Sequence, residues 1–93
     1  MNDDVGVLVV DDDFMVARIH TQFVERTPGF RVVGVASSGQ AALADIARLH
    51  PDLVLLDVHL PDMTGIEVLR RLRADGDDVG VLVVTAARGR TVP

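Results

Sequence analysis

Three aspartates in a row, Asp11, Asp12 and Asp13, directly follow the apolar run from Val5 to Val10, and Asp57 directly follows the run from Leu53 to Leu56. Carboxylates crowded together repel one another, and a fold tolerates this only with protonation or a compensating cation. Oxygen ligands point to a hard cation. Mg²⁺ favours one to a few carboxylates completed by waters and a phosphoryl oxygen, whereas Ca²⁺ wants a fuller protein cage. An aspartate is also a competent nucleophile toward phosphorus, forming an aspartyl phosphate. A hydroxyl such as that of Thr85, which follows a further apolar run from Val79 to Val84, could hold an equatorial phosphoryl oxygen. Asp11 and Asp12 are thus candidate magnesium ligands, Asp57 a candidate acceptor, and Asp13 a helix cap.

These residues need elements to bring them together. The runs at Val5 to Val10, Leu53 to Leu56 and Val79 to Val84 are continuously apolar and too short for typical helices, which suggests strands buried on both faces. Phe30 to Ala36, interrupted by Arg31 and Gly34, reads as an edge strand. Between the strands the period turns helical. Val16, Ile19, His20 and Phe23 have the spacing of one helix face, begun by Asp13 and ended by Thr27-Pro28-Gly29. Ser38 caps a second helix, covered by Ala41, Leu43, Ala44, Ile46 and Leu49 and closed by His50-Pro51. Thr64 starts a third, with Ile66, Val68, Leu69 and Leu72 apolar and Arg70, Arg71 and Arg73 placed late, where they complement the helix dipole.

The order β-α-β-α-β-α-β predicts an α/β fold with a doubly wound parallel sheet, because helical crossovers impose parallel strands. Such sheets bind ligands at the carboxyl ends of their strands. Asp11, Asp12, Asp57 and Thr85 all fall on that one edge.

Composition narrows the function further. The 93 residues suit one domain, and hydrophobic residues at 48% are enough for a core. A net charge of −5 argues against a nucleic-acid-binding surface on this chain. Cysteine is absent, so disulfides and thiolate metal sites are excluded. The acidic start Met-Asn-Asp-Asp does not read as a signal peptide, and no apolar run reaches the roughly 20 residues of a membrane span. A cytoplasmic location is the expectation. His20, His50 and His59 do not have a metal-ligand spacing.

Three segments together resemble the receiver domains of two-component response regulators: Leu8-Val9-Val10-Asp11-Asp12-Asp13, Leu55 to Gly65 with Asp57, Pro61 and Asp62, and Val83-Val84-Thr85-Ala86-Ala87. The resemblance implies a flavodoxin-like sheet and a phosphoacceptor at Asp57. It implies Mg²⁺ held directly by Asp12 and Asp57, largely through water by Asp11, and by the backbone carbonyl of His59. Thr85 and the backbone N–H of Ala86 would contact the phosphoryl group. Apart from the resemblance, the place of His59 in this loop leads to the expectation that its side chain tunes dephosphorylation or water access. A sensor histidine kinase would donate the phosphoryl group, and DNA would be bound only by a separate output domain. Asp13 to His20 and Val24 to Phe30 look in particular like the regulators of citrate and C4-dicarboxylate systems.

The resemblance also carries an expectation about extent. The chain reads as a receiver over residues 1–93, truncated to about four strands and three helices. The lysine that ends the family's fifth strand has no counterpart, since all nine basic residues are Arg. An exposed fourth strand, Val81 to Val84, is then expected to self-associate. Arg88, Gly89, Arg90 and Pro93 read as a solvated tail. Two other functions compete. The Asp11-x-Asp13 spacing fits a phosphohydrolase, although Met15 and the lack of a cap domain speak against that enzyme. A receiver-like binding or dimerisation module without efficient phosphorylation is the other.

Overall fold

The computed structural model describes residues 3–84. Its elements are β1 (Val5–Val10), α1 (Phe14–Glu25), β2 (Phe30–Ala36), α2 (Gly39–Leu49), β3 (Leu53–Asp57), α3 (Gly65–Ala74) and β4 (Gly80–Val84). All three ladders are parallel, and the strand order is β2-β1-β3-β4. The sheet therefore grows from β1 in both directions, which puts a switch in strand order between β1 and β3. The expected α/β doubly wound sheet is present, with β2 at one edge.

Alternation along the central strands divides the core. Leu8 and Val10 of β1 and Val54 and Leu56 of β3 pack with Ala42 and Ile46 of α2 and Val68 and Leu72 of α3. Val7 and Val9 face the other way, against Ala17 and Val24 of α1. Continuous apolarity in these strands is thus the signature of burial on two sides. Full burial of a Leu or Val side chain contributes about 1.5–3 kcal/mol, so these strands dominate the stability of the domain.

The helix starts follow the side chains that the sequence suggests. Asp13 accepts from the N–H groups of Met15 and Val16 at 2.9 and 3.2 Å. Ser38 Oγ accepts from Ala41 N at 3.0 Å, and Thr64 Oγ1 from Glu67 N at 3.0 Å. Each satisfies donors that have no partner within the helix. His50 closes α2 in the left-handed region at φ 50°.

The buried face of α1 differs from expectation. Ala17 and Val24 are buried and Val16, His20 and Thr21 half-buried, whereas Ile19 and Phe23 are 59% and 70% exposed. The apolar stripe at 16, 19, 20 and 23 is rotated by about one residue from the face that meets the sheet. Small Ala17 lets α1 approach β1 closely, which turns the larger Ile19 and Phe23 outward. Smaller departures occur in α2, where Ala42 is buried and Ala44 exposed, and in α3, where Ile66 is exposed.

Candidate phosphoacceptor and metal site

The carboxyl ends of β1 and β3 lie side by side, because Val10 pairs with Leu56 in the parallel register. The chain emerging from each strand places an aspartate at the same edge. Asp11 and Asp57 are 4% and 3% exposed, and Asp12 is exposed. One carboxylate oxygen from each of Asp11, Asp12 and Asp57 lies within 4.8 Å of the others. This is the convergence expected from the sequence, and the set is one that could hold a metal ion.

Asp11 is fixed at both ends. Its N–H donates to Ala36 O at 3.0 Å, and its Oδ1 accepts from Asp13 N at 2.9 Å. Burial pushes its carboxyl above the usual carboxylate range. The Asp13 N–H pulls the other way, and the nearby charge of Asp57 raises it again. Asp57 is held less completely: among the described residues its buried Oδ2 has no hydrogen-bond partner. A buried carboxylate oxygen without a donor costs more than an ordinary polar group, so it calls for a ligand. The donor chemistry suits Mg²⁺, an oxygen-seeking cation that takes few carboxylates and keeps open positions.

The loop after β3 shapes the site from one side. Gly65 N donates to Val58 O at 2.7 Å, and His59 forms an isolated antiparallel bridge with Thr64. These contacts close residues 58–65 into a loop that brings Gly65 against the backbone of Asp57. The His59 side chain is exposed, so its backbone lies in the loop while its ring faces solvent. His20 is half-buried on α1, and His50 is an exposed helix end. Thr85 and Ala86 lie outside the described residues, as does the tail with Arg88, Gly89, Arg90 and Pro93.

Asp62 has a role that the sequence reading passed over. Its Oδ1 accepts from Gly39 N at 2.8 Å and its Oδ2 from Gln40 N at 2.9 Å. These two hydrogen bonds, Gly39 first, hold its carboxyl below the usual carboxylate range. An Asp in a loop looks like an ordinary turn residue, and partners more than twenty positions away leave no local signal.

Residues 7–92 match the response regulator receiver domain family. The chain belongs to that family. This receiver is 41% identical over 83 residues to the transcriptional regulatory protein MalR of Bacillus subtilis, covering 89% of the chain and 35% of MalR. It is 36% identical over 83 residues to a probable C4-dicarboxylate response regulator DctR of Halalkalibacterium halodurans, covering 89% of the chain and 36% of that protein. A protein-glutamate methylesterase/protein-glutamine glutaminase of Nocardioides is 38% identical over 86 residues, 92% of the chain and 24% of the enzyme. Among solved structures, the signal receiver domain of the putative response regulator NarL from Mycobacterium tuberculosis superposes with a TM-score of 0.87 at 31% identity, covering 95% of this chain and 70% of that one. The receiver spans between a quarter and about a third of the length of these curated relatives. The likeness to a C4-dicarboxylate regulator agrees with the finer resemblance in α1 and the segment after it. No helix among the described residues is long and apolar enough to cross a membrane.

Proposed function

We propose that this receiver accepts a phosphoryl group on Asp57 from a sensor histidine kinase in the cytoplasm, and passes the signal to a DNA-binding output domain outside this chain. The observation that carries the reading is the convergence of the Asp11, Asp12 and Asp57 carboxylates, with the buried Asp57 Oδ2 unpartnered among the described residues. In the transfer a carboxylate oxygen of Asp57 attacks phosphorus. The new P–O bond forms as the P–N bond to the kinase histidine breaks, and the electron pair returns to the imidazole, which takes up a proton. Asp11, Asp12, Asp57 and the His59 carbonyl would hold Mg²⁺, which when bound neutralises charge on the phosphoryl oxygens. Burial of Asp11 and Asp57 keeps water from competing for those contacts. Thr85 and the Ala86 N–H complete the proposed set as donors to the phosphoryl group. The chain itself is no enzyme on this reading, since the transcriptional relatives and the methylesterase share only this segment with it.

Acetyl phosphate with Mg²⁺, followed by intact mass, tests the reading. A single phosphoryl adduct that disappears in Asp57→Ala is the expected result. Steady release of inorganic phosphate instead would favour an Asp-x-Asp hydrolase. A folded chain that gains no adduct would favour a second reading, a binding module that pairs through β4. The exposed Leu82 on β4 supports that alternative.

A further inference from the structure

Among the described residues three contacts hold the loop that carries His59, two that close it on itself and one that reaches another element. Gly65 N closes it on Val58 O at 2.7 Å. The His59–Thr64 bridge narrows it. The third tie is the longest in sequence: both oxygens of Asp62 are taken by the first two N–H groups of α2, at 2.8 and 2.9 Å.

The remaining donors of that helix start are also accounted for. Ser38 Oγ takes Ala41 N at 3.0 Å and Ser38 O takes Ala42 N at 3.0 Å. Asp62 is therefore half of a complete cap, supplied from another element, and the positive end of the α2 dipole favours its charge. Packing reinforces the tie. Met63 lies against Gly39 so closely that a Cβ there would overlap its Cγ, with Val68 Cγ2 at 3.1 Å. The start of α2 is itself anchored to the site through β2, since Ala36 O accepts from Asp11 N at 3.0 Å.

We infer that Asp62 is a positioning residue for the metal site: its two-oxygen grip on the start of α2 fixes the loop that presents the His59 carbonyl. The inference rests on the proposed role of that carbonyl as a magnesium ligand. A chain of contacts runs from Asp11 through Ala36 and α2 to Asp62, and returns to Asp57 through Gly65. The loop and the two acidic strand ends are thereby set against one frame. Without Asp62 the backbone of residues 59–62 keeps its covalent path and its tie at Gly65, but loses its lateral stop. Partners that orient metal ligands without touching the metal typically change affinity by 10–100-fold. Asp62 is exposed, so the lower end of that range, a roughly 10-fold loss, is expected.

The test is Mg²⁺ affinity by calorimetry in the full chain without phosphodonor, with amide hydrogen exchange at Gly39 and Gln40 as a second readout. Asp62→Ala is expected to raise the Mg²⁺ dissociation constant roughly 10-fold and to speed exchange at both amides, with the far-ultraviolet spectrum unchanged. Asp62→Asn keeps the shape and one acceptor oxygen, so a smaller rise is expected, and it decides the matter if the alanine variant does not fold. A wild-type dissociation constant in the folded variants would overturn the role of Asp62 and leave the phosphoacceptor reading standing. Failure of the wild-type chain to bind Mg²⁺ at all would overturn both.

Discussion

Gly65 lies against the backbone of Asp57 so closely that a Cβ at position 65 would overlap the Asp57 carbonyl oxygen and approach its carbonyl carbon to 3.2 Å. The first residue of α3 and the last residue of β3 are thus in backbone contact, with no side chain between them. The contact allows the Gly65 N–H to reach Val58 O and returns the chain to the acidic edge. Because the obstacle is backbone on both sides, it cannot move aside as a flexible side chain would. Gly65→Ala should therefore cost about 1–3 kcal/mol of stability, the range for an overfilled core, and should weaken Mg²⁺ binding together with it. Chemical denaturation with calorimetry of the same variant checks both.

The pH dependence of the metal-free chain should have two limbs of opposite sign. Asp11 has its folded pKa raised, by burial first, so it favours the folded state when protonated and that benefit is lost as pH rises through the raised value. Asp62 and Glu67 have lowered folded pKa values, Asp62 through the Gly39 and Gln40 N–H groups and Glu67 through Arg71 and then Arg70. Their contributions are present above the unfolded values of 3.8 and 4.5 and are lost as pH falls through the lowered folded values. Stability should rise on acidification from neutral pH toward the carboxylate range, then fall below it. Saturating Mg²⁺ should flatten the first limb. Melting temperature against pH, with and without Mg²⁺, checks this.

Asp11→Asn should separate the two effects of that carboxylate. An asparagine oxygen can still accept from Asp13 N, whereas the repulsion with Asp57 is gone. The metal-free variant should melt higher than the wild type, and Mg²⁺ should stabilise it far less. Thermal melts across a Mg²⁺ titration give both numbers from one experiment.

On α1 the prediction turns on which residues meet the sheet. Val24 is 5% exposed and should cost about 1–3 kcal/mol as Val24→Ala. Ile19→Gln, five residues earlier on the outward side, should change stability by no more than about 0.5 kcal/mol. Denaturant midpoints of the pair test the rotated face directly. Equal losses would restore the stripe that the sequence suggests.

Leu82 is 54% exposed on β4, a strand at the edge of the sheet among the described residues. Unpaired strand edges with apolar side chains template association. The chain should self-associate with rising concentration, and Leu82→Lys should suppress this without loss of the fold. Light scattering across a concentration series, with circular dichroism as the control, makes the comparison.

Much of this was legible in the sequence for a physical reason. Strands buried on both faces announce themselves as unbroken apolar runs, and each helix start carries its own capping side chain at Asp13, Ser38 or Thr64. The acidic edge followed from the same pattern, since Asp11 and Asp57 stand one step past such runs. What failed was finer. Ile19 and Phe23 are apolar and correctly spaced, but the close approach of Ala17 selects a different face. The grip of Asp62 on α2 was invisible because its donors are backbone N–H groups, which every residue but proline offers. Thr85 was read from its hydroxyl and its place one step past an apolar run, Ala86 from the resemblance alone, and both lie outside the described residues.

The two sides of the sheet are unequal in bulk. Among the described residues nine buried ones gather on the side of α2 and α3, and four on the side of α1. Local opening follows the shallower core, so α1 amides should exchange with solvent faster than those of β3 and α3. Asp57 ends a strand of the better-filled side, while Asp12 lies in the short link between β1 and α1. Opening of α1 is then expected to move Asp12 more than Asp57, and residue-resolved hydrogen exchange checks that order.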